Sequence, residues 1–217
     1  MAQYQAVLFD LDGTLVDTAP DLGYALNSLL EQEGLASLPH DLIRPVASNG
    51  SAGLLSLGFG LTTDDAEFKP LQARFIRLYQ DNIARGSRLF PGMPEVLDYL
   101  EQSDIIWGIV TNKPAFLTDP LAILLNLTER AACIVSGDTT PHAKPHPAPM
   151  LHACHIISVE PEKCLYVGDA ARDIEAGKNA HMTTILARYG YISADDDANA
   201  WQADGSIDHP AELLKWL

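Results

Sequence analysis

The stretch that most constrains this chain is Ala6-Val7-Leu8-Phe9-Asp10-Leu11-Asp12-Gly13-Thr14-Leu15-Val16-Asp17, where an unbroken apolar run gives way to carboxylates, a glycine and a threonine. Four consecutive apolar residues leave no polar side for water, so the run fits a strand covered on both faces, as in a parallel sheet. Asp10 and Asp12 are two apart, and in extended chain both side chains lean to one side. Gly13 tolerates unusual backbone angles where such a strand must turn, and Thr14 adds a hydroxyl beside it. Strand ends of this kind are where an open α/β sheet binds its ligands. An isolated Asp-x-Asp is most often a solvated strand end, whereas the full string behind a buried apolar run is much rarer.

Beyond Asp17 the apolar spacing becomes helical. Asp17 or Thr18 can cap a helix with Pro20 in its first turn and Leu22, Leu26, Leu29 and Leu30 on its apolar face, ending near Gly34. Shorter helical pieces at 42–46 and 54–59 flank an expected loop at 48–51, and a longer helix is expected over 64–84. No strand signal lies between Asp17 and Arg88. Residues 18–86 therefore read as an inserted α-helical cap domain, with 1–17 and 87–217 forming the catalytic core. The cluster Pro91-Gly92-Met93-Pro94 marks the return to that core. From there helices at 95–101, 117–125, 147–155 and 172–179 alternate with strands at 105–110, 133–135, 164–167 and 183–187, and 206–207 and 211–217 add an edge strand and a last helix. This alternation predicts a doubly wound parallel sheet, an α/β Rossmann-like core.

With 217 residues the chain can bury a substantial core. Its formal charge of −15 argues against a nucleic-acid or anionic-membrane partner, since both reward a basic surface. No stretch approaches a membrane span, the amino terminus has no basic segment followed by an apolar one, and Cys133, Cys154 and Cys164 are odd in number and irregularly spaced. A cytoplasmic protein with buried free thiols, monomeric or homodimeric, is expected. An anionic substrate would then require local cations or a metal to reverse the field inside the cleft.

Several polar clusters follow apolar strands: Val110 leads to Thr111-Asn112, and Val167 to Gly168-Asp169, with Asp173 one helical turn on. Lys144-Pro145-His146-Pro147 lies between them. Together with the opening string, these segments resemble the four ordered motifs of the haloacid dehalogenase-like hydrolases. The resemblance implies a phosphomonoester hydrolase in which Asp10 attacks phosphorus to give an aspartyl-phosphate, and Asp12 first protonates the leaving group and then activates water. It also implies a Mg²⁺ cofactor held by Asp10, Asp169 and the Asp12 carbonyl, with Asp173 behind them. Lys144, Thr111, Asn112 and Thr14 would bind the phosphoryl group. Two departures from the family pattern are visible: Ala170-Ala171 where a serine, threonine or aspartate is common, and His181 where glycine is usual.

The expected partner is a small phosphate ester. Thr111-Asn112-Lys113-Pro114, Arg172-Asp173-Ile174 and the cap residues Arg44, Asn49 and Gly50 are similar to phosphoglycolate phosphatases, which is the first reading. Ser87-Arg88-Leu89-Phe90-x-Gly92-Met93, Trp107-Gly108 and Tyr189-Gly190-Tyr191-Ile192 are similar to N-acetylmuramic acid 6-phosphate phosphatases of cell-wall recycling, the alternative. Both substrates carry a carboxylate, for which Arg44 is the expected partner. A phosphosugar mutase or a catalytically silent binding protein on the same fold is a more distant alternative.

Overall fold

The computed structural model describes residues 4–217, so the leaderless reading of residues 1–3 lies outside it. Its strands, in chain order, are β1 (Ala6–Phe9), β2 (Val16–Asp17), β3 (Arg88–Leu89), β4 (Ile106–Val110), β5 (Ile134–Val135), β6 (Cys164–Gly168), β7 (Thr183–Ala187) and β8 (Gly205–Ile207). Six form one sheet in the order β5-β4-β1-β6-β7-β8, every pair parallel. The helices are α1 (Ala19–Gln32), α2 (His40–Ile43), α3 (Gly50–Phe59), α4 (Phe68–Gln80), α5 (Met93–Gln102), α6 (Ala115–Leu124), α7 (Ala148–Ile157) and α8 (Ala171–Asn179).

All four residues of β1 are fully buried, which explains the absence of a polar position in the run. Period-two alternation divides them between two cores. Val7 and Phe9 pack with Trp107, Ile109, Leu165 and Val167 and with Val96, Leu97 and Leu121 from α5 and α6. Ala6 and Leu8 pack with Val110 and Tyr166 and with Met150, Ala153 and Ala176 from α7 and α8. The sheet is thus covered on both faces, and the expected doubly wound α/β fold is what the chain adopts.

Between β2 and β3 the chain contains helices, turns and irregular stretches but no strand, and these two short strands pair antiparallel through Val16 with Leu89 and Asp17 with Arg88. Two-residue strands are too short to show a period of two, so this ribbon left no mark in the sequence pattern. Beside it, Asp21 accepts hydrogen bonds from Gly86 N, Ser87 N and Ser87 Oγ at 2.6, 2.9 and 2.6 Å, tying the entry of the helical segment to its exit.

Three expected elements differ. The loop over 48–51 is instead a 3-10 helix, Arg44–Asn49, running into α3. The break sits at Gly50, whose φ of +60° suits glycine. Helix α4 starts at Phe68 rather than near 64 because the Asp65 carboxylate accepts from Thr62 N and Oγ1 at 2.7 and 2.9 Å, a local bond that competes with helix formation. Residues Pro210–Lys215 form a 3-10 helix where an α-helix over 211–217 is expected.

Candidate active site

Because β1 lies between β4 and β6, the carboxyl ends of these strands deliver Asp10, Thr111 and Asp169 to one crevice. Lys144 joins them from the loop before α7, with its ammonium fully buried. Lys144 Nζ donates to Asp10 Oδ1, the Val110 carbonyl and Tyr166 Oη at 2.8 Å each, and lies 2.7 Å from Asp173 Oδ1. Asn112 places this lysine, since its side chain donates to Lys144 O at 2.8 Å and accepts from Lys144 N at 2.9 Å. The Asn112 amide, expected to contact phosphate, is therefore engaged in holding the lysine backbone.

Ligand oxygens of Asp10, Asp169 and Asp173 all lie within 4.8 Å of one another, and all three residues are buried. Burial raises the proton affinity of both Asp10 and Asp169, and the neighbouring carboxylates raise it further; for Asp169 the pKa reaches about 7. So compact a set of hard oxygen donors fits a divalent cation, whose charge would offset the mutual repulsion of the carboxylates. Asp173 stands behind the other two, pairing with Lys144 and accepting from Ala170 N at 3.0 Å. Ala170 has no side-chain oxygen with which to complete a reciprocal cap on α8.

Asp12, on the other side of the crevice, accepts from Thr18 Oγ1 at 2.6 Å and from Lys113 Nζ at 2.8 Å. Burial opposes the charge on Lys113, but Asp12 and Tyr79 outweigh it and hold the ammonium above the ordinary lysine range. Lys113 Nζ also lies 4.7 Å from the centroid of the Tyr79 ring, which it faces. Neither residue stood out in the sequence as part of the site. Lys113 was legible only as a member of the string after β4, and Tyr79 as an apolar-face position of α4.

The helical segment reaches into the same place. Ser48 Oγ donates to Asp169 Oδ2 at 2.9 Å and lies 3.5 Å from the Asp12 carbonyl oxygen, while Arg172 Nη2 donates to Ser48 O at 2.7 Å. A cavity of about 520 Å³ opens between the helices and the strand ends. Asp10, Asp12, Thr111 and Lys113 line it from the sheet side, and Asn49, Gly50, Gln72, Phe75 and Tyr79 from the helical side. Thr111 Oγ1 accepts from Lys113 N at 3.1 Å, leaving its own hydrogen available to a ligand. Arg172 also borders the cavity, so three cations rather than Lys144 alone offset the aspartates.

Two expected ligand-binding residues stand elsewhere. Thr14 is fully buried and donates to Asp169 Oδ1 at 3.2 Å, so it supports a carboxylate instead of lining the cavity. Arg44 Nη1 lies 2.8 Å from both Asp17 oxygens, and its guanidinium sits 4.9 Å over the Tyr191 ring. With Tyr191 Oη donating to Asp17 Oδ1 at 2.7 Å, Arg44 belongs to a cluster beside the β2–β3 ribbon. Asn49 and Gly50 do border the cavity.

Gly13 explains the turn after Asp12. Its φ is +86°, and a Cβ there would meet Asp169 Oδ2 at 2.2 Å, so the backbone passes where no side chain fits.

Residues 7–187 match the family model described as haloacid dehalogenase-like hydrolase. Among similar proteins, an N-acetylmuramic acid 6-phosphate phosphatase of Pseudomonas putida is 41% identical over 97% of this chain and 95% of its own length. A phosphoglycolate phosphatase of Xanthomonas campestris is also 41% identical, over 96% of this chain and 94% of its own. In three dimensions, the crystal structure of a predicted phosphoglycolate phosphatase from Haemophilus somnus superposes with a TM-score of 0.86 at 30% identity, covering 99% of this chain and 98% of that one.

Proposed function

The chain belongs to the haloacid dehalogenase-like hydrolases, and on that premise we propose that it is a Mg²⁺-dependent phosphomonoesterase acting on a small phosphorylated carboxylic acid. The observation that carries this reading is the placement of Asp10. Its carboxylate is fixed by Lys144 at 2.8 Å, borders the cavity, and shares that cavity with Asp12.

Asp10, Asp169 and the Asp12 carbonyl are the proposed Mg²⁺ ligands, with Asp173 behind them. Bound there, Mg²⁺ would supply positive charge for the phosphoryl oxygens. An Asp10 oxygen forms a bond to phosphorus as the bond to the ester oxygen breaks, and Asp12 gives its proton to the departing alkoxide. Asp12 then takes a proton from water, whose oxygen attacks phosphorus, releasing inorganic phosphate and restoring the Asp10 carboxylate. The Thr111 hydroxyl and Arg172 are the proposed donors to the equatorial phosphoryl oxygens, where charge sits in the transition state. Lys144 holds the nucleophile in line. Residues 18–86 act as a cap that closes over the ester and excludes water.

Phosphoglycolate is the first substrate reading, in keeping with the relatives of that name. One observation favours the second, N-acetylmuramic acid 6-phosphate: a cavity of about 520 Å³ with Leu22, Phe75, Ile76 and Phe116 in its walls has more room than a two-carbon acid fills. A panel of phosphate esters containing both, assayed for phosphate release with Mg²⁺ and with excess chelator, tests the proposal. Chelator-sensitive release from at least one carboxylated ester is expected; release that persists in chelator, or none from any ester, would overturn it.

A further inference from the structure

Among the described residues, Tyr79 Oη is the one buried side-chain polar atom without a hydrogen-bond partner. A buried hydroxyl left unpaired opposes folding, and phenylalanine would fill the same space without that cost. Tyr79 lines the cavity and is 1% exposed. Gln72 and Phe75 precede it on the same face of α4, and Lys113 Nζ lies 4.7 Å over its ring and 2.8 Å from Asp12 Oδ1. An unpartnered phenol and a buried ammonium thus stand together beside the residue that would protonate the leaving group.

We propose that Tyr79, together with Lys113, receives the carboxylate of the substrate, making Tyr79 a specificity-determining residue of the cap. This rests on the phosphomonoesterase reading above. A cation flanked by a neutral O–H donor is the pairing that a carboxylate accepts, one oxygen toward each. Burial pushes the Tyr79 phenol up to about 12, with Lys113 pulling the other way, so the hydroxyl remains a donor throughout the neutral range. The position also limits which carboxylate can bind. Lys113 touches Asp12, so the acceptor must lie within a few bonds of the ester oxygen. The acid group of a 2-phosphorylated short-chain acid such as phosphoglycolate meets that requirement. In a sugar-acid phosphate whose carboxylate lies across the ring from the phosphate, a ring hydroxyl would have to take its place.

The test compares Tyr79→Phe with the unaltered protein on two esters of equal length, phosphoglycolate and ethyl phosphate, and measures thermal unfolding without ligand. Tyr79→Phe is expected to lower kcat/KM for phosphoglycolate about tenfold to a hundredfold, mainly through KM. The ratio of phosphoglycolate to ethyl phosphate kcat/KM should fall with it, while the unliganded protein unfolds at the same or a higher temperature. An unchanged ratio would overturn the inference, as would a clear loss of unliganded stability, which would mean that the hydroxyl has a structural partner. If the unaltered protein releases phosphate from neither these esters nor any other, the phosphomonoesterase reading fails, an outcome distinct from failure of the Tyr79 assignment.

Discussion

Lys144 Nζ stands 2.8 Å from Asp10 Oδ1, and the lysine side chain is wholly shielded from solvent. The same ammonium meets Asp173 Oδ1 at 2.7 Å, so one cation holds two carboxylates of the cluster. Charge taken out of water on this scale is tolerable only when its partners are in place.

Lys144→Met is therefore expected to leave the acidic cluster uncompensated, lowering stability by about 3–5 kcal/mol and kcat by about a hundredfold to a thousandfold. Denaturant unfolding and steady-state kinetics check the two losses. Lys144→Arg should rescue neither fully, because the bulkier guanidinium has no room among Asp10, Tyr166 and Asp173.

The cluster also sets the pH dependence of the metal-free protein. The Asp10 and Asp169 pKa values are raised in the folded state, that of Asp169 to about 7, so between the unfolded carboxylate pKa and about 7 the native state binds more protons than the unfolded one. Stability from these groups is fully present below that window and declines as pH rises through it, by at most ~1.4 kcal/mol per pH unit for one proton. Without divalent cation, the melting temperature should be higher at about pH 5.5 than at about pH 8. Saturating Mg²⁺ should flatten that slope, and differential scanning fluorimetry with and without Mg²⁺ reads both.

Gly13→Ala forces a left-handed backbone on alanine and drives its Cβ into Asp169. A stability loss of at least about 1–3 kcal/mol is expected, together with weaker divalent-cation binding. Isothermal titration with Mg²⁺ separates the second effect from the first.

Arg44→Ala distinguishes the observed position of this residue from its expected one. The Arg44–Asp17 pair is about a quarter to a third exposed, so its loss, with that of the stacking on Tyr191, should cost only about 1 kcal/mol. KM for carboxylated esters should change no more than KM for ethyl phosphate, and a selective rise for the carboxylated ones would restore Arg44 to the binding site.

The alternation of core strands with helices and the four motif segments were legible because each rests on local chemistry. A buried run ending in Asp10, Thr111 or Asp169 declares its own end, and a parallel sheet then brings those ends together. What could not be read depends on contacts between distant segments. Tyr79 shares a helical face with Phe75, so a phenol there looks like core until Lys113 is found beside it. Ser48 was expected in a loop, and its bond to Asp169 requires the fold to bring together residues far apart in the chain. Arg44 and Thr14 carry the right functional groups, but Asp17 and Asp169 engage them. His181 has a positive φ of 62°, a backbone conformation that favours glycine and that nothing local in the sequence announces at a histidine.

The central claim is that Asp10 becomes covalently phosphorylated during turnover. Acid quench of the protein while it hydrolyses a carboxylated phosphate ester with Mg²⁺, followed by peptide mass spectrometry, tests it most directly. One phosphoryl group is expected on the peptide that contains Asp10, absent from Asp10→Asn and absent in chelator. Robust phosphate release by Asp10→Asn, or a phosphoryl group trapped on another residue, would contradict the account.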